Sequence, residues 1–168
     1  MLRGVRLGVD VGTVRIGVSK SDPDGVLASP LDTVPRASDG ADVRLIADLA
    51  TRYRAIGIVV GHPLALSGRT TRSTRDAVSF AERLAAATAV PVWLVDERLS
   101  TVSAAQALHA AGKNSRRQRG VIDRSAAAVI LQHALEAERQ AGRPAGRAVG
   151  PSAEAGRDDA PCEDDSDE

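Results

Sequence analysis

Two short apolar segments constrain the fold of this chain more than any other feature. Residues 55–61 read AIGIVVG and residues 92–96 read VWLVD, without the long polar interruptions of a surface segment. Strands of this composition are buried on both faces, as in parallel sheets that carry helices above and below them. We therefore predict an α/β fold whose central strands are covered on both faces.

The N-terminal part of the chain predicts further strands beside this centre. Residues 3–11 alternate between apolar and small or polar side chains, and the short turn Gly12–Thr13 leads to a second strand over 14–20, so the two are expected to form a hairpin. A third strand is predicted over 26–34. Helices are predicted over 38–53, 71–87, 99–110 and 121–140, with a basic loop over 112–120. This order is best met by one mixed sheet with helices on both faces.

The charge of the chain divides near residue 140. The whole chain has no formal net charge, but residues 1–140 hold 19 Lys and Arg against 14 Asp and Glu. Residues 141–168 hold three Arg against eight acidic residues, and they are rich in Gly, Pro and Ala. A segment with so little to bury is typically disordered. We predict a folded, mildly basic domain over 1–140 and a disordered acidic tail over 141–168.

Several protein classes are excluded by composition. The apolar run at 55–61 is far shorter than the ~18 residues that a membrane helix needs, and the first residues lack the pattern of a secretory leader. The single cysteine, Cys162, cannot build an internal disulfide framework. We expect no membrane contact. A disulfide between two copies of Cys162 is one route to a homodimer.

Three acidic residues stand at positions where a carboxylate suggests a function. Asp10 lies on the small-residue face of an apolar strand, where burial costs several kcal/mol unless the carboxylate is paired, hydrogen-bonded or metal-bound. Glu97 follows Asp96 at the carboxyl end of a buried strand, the edge where ligand sites of open α/β sheets gather. Asp123 heads the helical stripe predicted to pack on the sheet. Alternation puts Asp96 and Glu97 on opposite faces and leaves open which of them shares a site with Asp10.

Each acid also has a purely structural interpretation. Asp10 could cap the hairpin turn, Glu97 could pair with Arg98 at the strand end, and Asp123 could simply interact with the positive end of the helix dipole. Three carboxylates that converge without a Cys or His cluster would instead suit Mg²⁺ or Mn²⁺ rather than zinc. Two such ions, ~3.5–4 Å apart, activate a water molecule and stabilise the leaving oxygen of a phosphodiester. The predicted activity is therefore metal-dependent hydrolysis of ester bonds.

Two clusters of basic residues are expected near the same end of the sheet. They are Arg69, Arg72 and Arg75 in the first cluster, and Lys113, Arg116, Arg117, Arg119 and Arg124 in the second. Such clusters neutralise phosphates largely without reading sequence, although a solvated charged face is the plain alternative. Aromatic residues make up only 2% of the chain, which disfavours stacking on single strands. The predicted partner is structured RNA or branched DNA, recognised by shape.

Four motifs, in order, resemble one known family. They read LGVDVGTVRIGVSKSD, GHPLALSG, VDERLST and VIDRSAAAVILQ, and together span about residues 3–135. In order and spacing they resemble the YqgF (RuvX-like) family, which has an RNase H-like fold and is described as pre-16S rRNA nuclease or Holliday-junction-resolvase-like. The resemblance implies a five-stranded sheet and a cytoplasmic role in maturing the 5′ end of ribosomal RNA. It also implies that Asp10, Glu97 and Asp123 are the metal-binding catalytic acids, with the DER motif selecting Glu97.

One position departs from the family pattern, and three other functions stay open. His62 stands where Leu or Asn is more usual in the family. It is interpreted either as a proton relay beside the site or as a plain loop residue. A resolvase of four-way DNA junctions and a non-catalytic nucleic-acid-binding module would both use the same fold. The segment 10–13 also resembles the first phosphate-binding hairpin of the actin, hexokinase and Hsp70 group. Those proteins close two such domains on a nucleotide, whereas ~140 foldable residues make only one domain.

Overall fold

The computed structural model describes residues 3–63, 67–96 and 115–150, and for residues 115–125 it describes the backbone alone. This part of the chain forms three helices and six strands. In chain order they are β1 (Arg6–Val11), β2 (Arg15–Ser21), β3 (Ala28–Pro35), α1 (Ala41–Arg52), β4 (Gly57–His62), α2 (Arg72–Ala87), β5 (Val92–Asp96), α3 (Ser115–Ala141) and β6 (Arg147–Val149).

All six strands form one mixed sheet in the order β3-β2-β1-β4-β5-β6. Strands β1, β4 and β5 are parallel, while the hairpin β1–β2 and the pair β2–β3 are antiparallel. This confirms the predicted α/β fold, its parallel centre and its N-terminal hairpin. The described sheet has six strands rather than the five that were expected, because β6 adds to β5 in the antiparallel direction.

The predicted start of the tail is wrong for residues 141–150. Helix α3 ends at Ala141, the chain turns at Gly142, and β6 then pairs with β5 and buries Val149 in the core. Composition hid this short strand, because one buried valine is outweighed by the Gly, Pro and acidic residues around it. Residues 151–168 lie outside the described residues. The homodimer through Cys162 therefore stays a prediction.

The predicted loop over 112–120 is also wrong from residue 115 onward, because α3 already begins at Ser115. Arginine and glutamine are good helix formers, and the one glycine of residues 115–120, Gly120, is tolerated within the helix. The predicted helix over 99–110 lies outside the described residues. None of the helices in the described ranges is both long enough and apolar enough to cross a membrane.

The core has two layers, one on each face of the sheet. On one face α1 and α2 pack on Leu7, Val9 and Val60, and on the other α3 packs on Val59. Strand β1 presents Gly8 to α3, where an added Cβ would lie 2.7 Å from both the Ala127 carbonyl oxygen and the Leu131 Cβ. The missing side chain at Gly8 thus allows the helix backbone to approach the strand closely.

We expect Gly8→Ala to destabilise the protein by about 2–3 kcal/mol, since overpacking of a filled core costs ~1–3 kcal/mol and the nearest atoms include backbone. Gly142→Ala is the matched control: its Cβ would meet nothing within 4 Å, and only its φ of +71° is unfavourable, at a cost of ~1 kcal/mol. Urea unfolding of both variants measures the difference. Equal losses in the two variants would contradict the close packing at Gly8.

Candidate active site

Asp10 lies near the carboxyl end of β1, half-buried, on the face that α3 covers. Its face follows from strand alternation, since Gly8 two residues earlier points at α3. In the sheet Asp10 pairs with Gly17 of β2, and the β1–β4 register, continued by one residue from Val9 and Val60, places Gly61 on its other side. Neither neighbour contributes a side chain. The residues directly across from Asp10 on both sides are therefore glycines, a feature that the sequence motifs did not reveal.

Helix α3 runs in the direction opposite to β1. Arg6 at the start of β1 pairs with Glu138 near the helix C-terminus at 3.1 Å, whereas Gly8 further along the strand meets Ala127. The earlier residues of the helix therefore lie toward the carboxyl end of β1, where Asp10 is found. Asp123 belongs to α3, one helical turn before Ala127; its side chain is outside the described residues.

Strand register decides the question that alternation left open at the end of β5. Val95 packs into the cluster on the α3 face, whereas Leu94 belongs to the core on the α1 and α2 face. Asp96 has the parity of Leu94, so it shares the face of α1 and α2 and lies in register with His62 of β4. Asp96 and Asp10 are therefore on opposite faces of the sheet. Glu97 lies outside the described residues.

The predicted metal ligands and basic residues are only partly visible. In the described ranges no three Asp, Glu, His or Cys residues are grouped closely enough to hold a metal ion, and of the predicted triad only the side chain of Asp10 is described there. Arg69 and Arg72 are exposed at the start of α2. Lys113 lies outside the described residues. The remaining predicted contacts are placed by their helical backbone alone: Arg116, Arg117, Arg119 and Arg124.

An ion-pair network that sequence reasoning missed holds the turn after Asp10. The Arg36 guanidinium donates to both carboxylate oxygens of Asp76 in α2, at 2.7 and 2.9 Å, and to the Gly12 carbonyl oxygen at 3.1 Å. Its Nε lies 3.5 Å from the carboxylate of Asp42, which is fully buried at the start of α1. The Arg36 backbone N–H also donates to the carbonyl oxygen of Val14. One arginine thus connects the hairpin turn to two helices.

Charge and hydrogen bonding in this network shift two pKa values in the direction that favours the ion pair. The hydrogen bond from Arg36 lowers the pKa of Asp76 below its usual 3.8, and the same bond raises the pKa of Arg36. A carboxylate whose folded pKa is lowered stabilises the fold above its unfolded pKa. That contribution is lost as the pH falls through the folded value.

We expect Arg36→Met to destabilise the protein at pH 7 by about 2–3 kcal/mol, because it leaves the buried Asp42 without its cation. The deficit relative to wild type should shrink as the pH falls below the unfolded pKa of Asp76 and through its lowered folded value, because the carboxylate loses its charge over that range. Urea unfolding at pH 7 and pH 3 measures both values. Arg44→Met is the control, since Arg44 is exposed and its guanidinium donates only to the Asp39 carbonyl oxygen among the described contacts. A deficit that is the same at both pH values would contradict this role of the ion pair.

His62 does not face the candidate acid Asp10. It ends β4 with the parity of Val60, which places it on the α1 and α2 face. Burial lowers the pKa of His62, and the nearby charge of Arg147 lowers it further, while Asp96 acts in the opposite direction. The proton-relay hypothesis, which placed His62 beside the predicted catalytic acids, is therefore not supported by its position.

Comparison with known proteins agrees with this architecture. A family model described as RuvX, Holliday junction resolvase, matches residues 4–137. A protein of Leifsonia xyli subsp. xyli named "Putative pre-16S rRNA nuclease" is 58% identical over 151 residues, which make up 90% of this chain and 97% of that protein. A protein of Mycobacteroides abscessus with the same name is 53% identical over 142 residues, covering 83% of this chain and 86% of that one.

Among solved structures, Thermus thermophilus RuvC in complex with a Holliday junction substrate matches with a TM-score of 0.54 at 17% identity, covering 84% of this chain and 99% of that chain. This likeness concerns the fold, and it assigns the mixed sheet with its flanking helices to the RNase H-like class. The chain belongs to the RuvX family, since the family model matches most of its length. The family resemblance seen in the four sequence motifs is thereby confirmed.

Proposed function

We propose that this protein is a metal-dependent nuclease that hydrolyses phosphodiester bonds of structured nucleic acid, with the 5′ end of pre-16S rRNA as its substrate. The observation that carries the proposal is the half-buried carboxylate of Asp10, which lies at the carboxyl end of a central parallel strand between Gly17 and the position of Gly61. This edge of an open α/β sheet is where ligands bind. Membership of the RuvX family and the names of the relatives support the same activity. The proposal places the protein in the cytoplasm, where ribosomal RNA is processed.

Asp10, Glu97 and Asp123 are the proposed catalytic acids and ligands of Mg²⁺ or Mn²⁺. Carboxylate oxygens suit these hard cations, and the positions directly across from Asp10 on both sides are glycines. Bound by these acids, a pair of metal ions would supply an activated water and charge stabilisation of the leaving oxygen.

The basic residues are proposed to hold the substrate backbone. Arg69 and Arg72 stand exposed where α2 begins, and Arg116, Arg117, Arg119 and Arg124 belong to the first part of α3, with Lys113 just before it in the sequence. A guanidinium binds phosphate oxygens through two parallel hydrogen bonds. These contacts are independent of base sequence, which fits a substrate recognised by its shape.

Resolution of four-way DNA junctions is the second candidate function. It is favoured by the description of the family and by the match of the fold to RuvC bound to a junction. Both substrates present a bent, negatively charged backbone, so the same acids and arginines would serve either of them. The two candidates differ in the sugar and in the branch geometry, which a cleavage assay separates.

We expect the wild-type protein with Mg²⁺ or Mn²⁺ to cut a pre-16S rRNA segment, and Asp10→Asn to slow cleavage by at least about a hundredfold. The neutral amide should leave RNA affinity without metal nearly unchanged. Asp48→Asn, at an exposed position on α1, is the charge-matched control and should retain full activity. End-labelled RNA and a four-way DNA junction, incubated in parallel, report product and rate.

The other outcomes of this assay are equally informative. Cleavage of the junction alone would favour the second candidate, and cleavage that survives Asp10→Asn would refute the catalytic role of this acid. Binding of both substrates without cleavage of either would indicate a non-catalytic module. Binding of ATP in place of nucleic acid would favour the nucleotide-binding alternative.

A further inference from the structure

A cleft lies on the face of the sheet opposite Asp10, at the same carboxyl edge. It has a volume of about 400 Å³ and is formed by side chains of β4, α2 and β6 and by Thr70, two residues before α2. The lining residues are His62, Thr70, Thr74, Arg75, Val78, Ser79, Glu82 and Arg147. Its face follows from register, since Arg147 pairs with Leu94 and His62 with Asp96. The cleft is therefore distinct from the proposed catalytic site.

Two arginines from distant parts of the chain line this cleft. Arg75 belongs to the first turn of α2, and Arg147 begins β6. Both are exposed, and among the described residues neither guanidinium forms an ion pair or a hydrogen bond. By contrast, Arg36 and Arg6 are both paired with carboxylates. Within the described ranges these two guanidinium groups have no carboxylate partner, and together with the His62 imidazole they offer several N–H donors to an anion.

One carboxylate, that of Glu82, lines the cleft together with the two arginines. Glu82 lies two helical turns after Arg75 on the same face of α2, a distance of ~10 Å along the axis. Asp96 lies beside His62 in the sheet. Among the residues that line the cleft, two arginines stand against one carboxylate, so the lining carries a net positive charge.

We propose that this cleft binds a backbone phosphate of the nucleic acid substrate through Arg75 and Arg147, with His62 lining the same site. The inference rests on the proposed nuclease function and adds a second contact surface to it. Because Asp10 and the cleft are on opposite faces, a substrate that reaches both must pass over the carboxyl ends of β4 and β5. A bent or branched backbone does so more readily than a straight duplex, since bending a duplex costs energy.

The test is binding of the structured RNA segment to the full chain without divalent metal, so that no cleavage occurs, over a range of salt concentrations. We expect Arg147→Ala and Arg75→Ala each to weaken binding about tenfold, as for loss of a charge-assisted hydrogen bond. Each should also reduce the slope of log K against log salt by about 0.7–0.9, the value for one phosphate contact. Glu82→Gln should instead strengthen binding, because it removes a negative charge from the lining of the cleft.

Arg139→Ala is the matched control, since Arg139 is exposed near the C-terminus of α3, at the other end of the sheet. It should change the affinity less than twofold. If Arg147→Ala and Arg75→Ala behave like this control, the proposal is overturned while the nuclease function stands. If the two cleft variants bind RNA more weakly but the wild-type protein cleaves no substrate, the result supports the cleft and overturns the nuclease function instead.

Inorganic phosphate, titrated by calorimetry, distinguishes a nucleic acid site from a site for a small phosphate compound. If wild type binds phosphate and Arg147→Ala loses this binding while its RNA affinity stays unchanged, the site serves a free phosphate compound and the proposal fails. Thermal unfolding of every variant serves as the folding check. Arg147→Lys, which keeps the charge but not the two-pronged geometry, should recover the salt slope but only part of the affinity.

Discussion

The close contact between β1 and α3 governs the rest of the structure. At its centre Ser19 donates a buried hydrogen bond of 2.7 Å to the carbonyl oxygen of Ala127, beside the missing side chain of Gly8. At one end Arg6 donates to Glu138, with both side chains largely buried, and a buried pair of this kind strongly penalises loss of either partner. These contacts fix the direction and height of α3, and with them the backbone position of Asp123 relative to Asp10.

The polar residues discussed above form two groups, which lie on opposite faces of the sheet although nothing in the sequence divides them. Asp10 faces α3, whereas Arg36, His62 and Arg147 belong to the side of α1 and α2. The two sides meet at the carboxyl edge, where the parallel strands end and ligands can reach both faces. The network of Arg36 stabilises this edge from the side of α1 and α2, since Arg36 donates a hydrogen bond to the carbonyl oxygen of Gly12, two residues after Asp10. The turn beside Asp10 is thus stabilised by groups that do not face it.

The elements with strong periodic patterns could be predicted from the sequence, and those defined by tertiary contacts could not. Strand β5 was predicted with its observed bounds, and the predicted start of α2 lies one residue before the observed start, because their apolar patterns are unambiguous. Strand β6 was missed because it depends on pairing with β5 rather than on its own composition. The choice between Asp96 and Glu97 needed the register of neighbouring strands. The bonds of Arg36 join three elements far apart in sequence, which no local pattern encodes.

The glycines that pair beside Asp10 are unfavourable for the sheet and therefore call for a functional explanation. A glycine within a strand costs about 0.5–1 kcal/mol relative to alanine, and it leaves no side chain to pack with its neighbours. Gly17 pairs directly with Asp10, and Gly61 follows on the other side by continuation of the register. A structural carboxylate that caps a turn needs no open space on both sides, whereas one that binds a metal ion and a phosphate does. The two glycines thus favour the catalytic interpretation of Asp10 over the capping one.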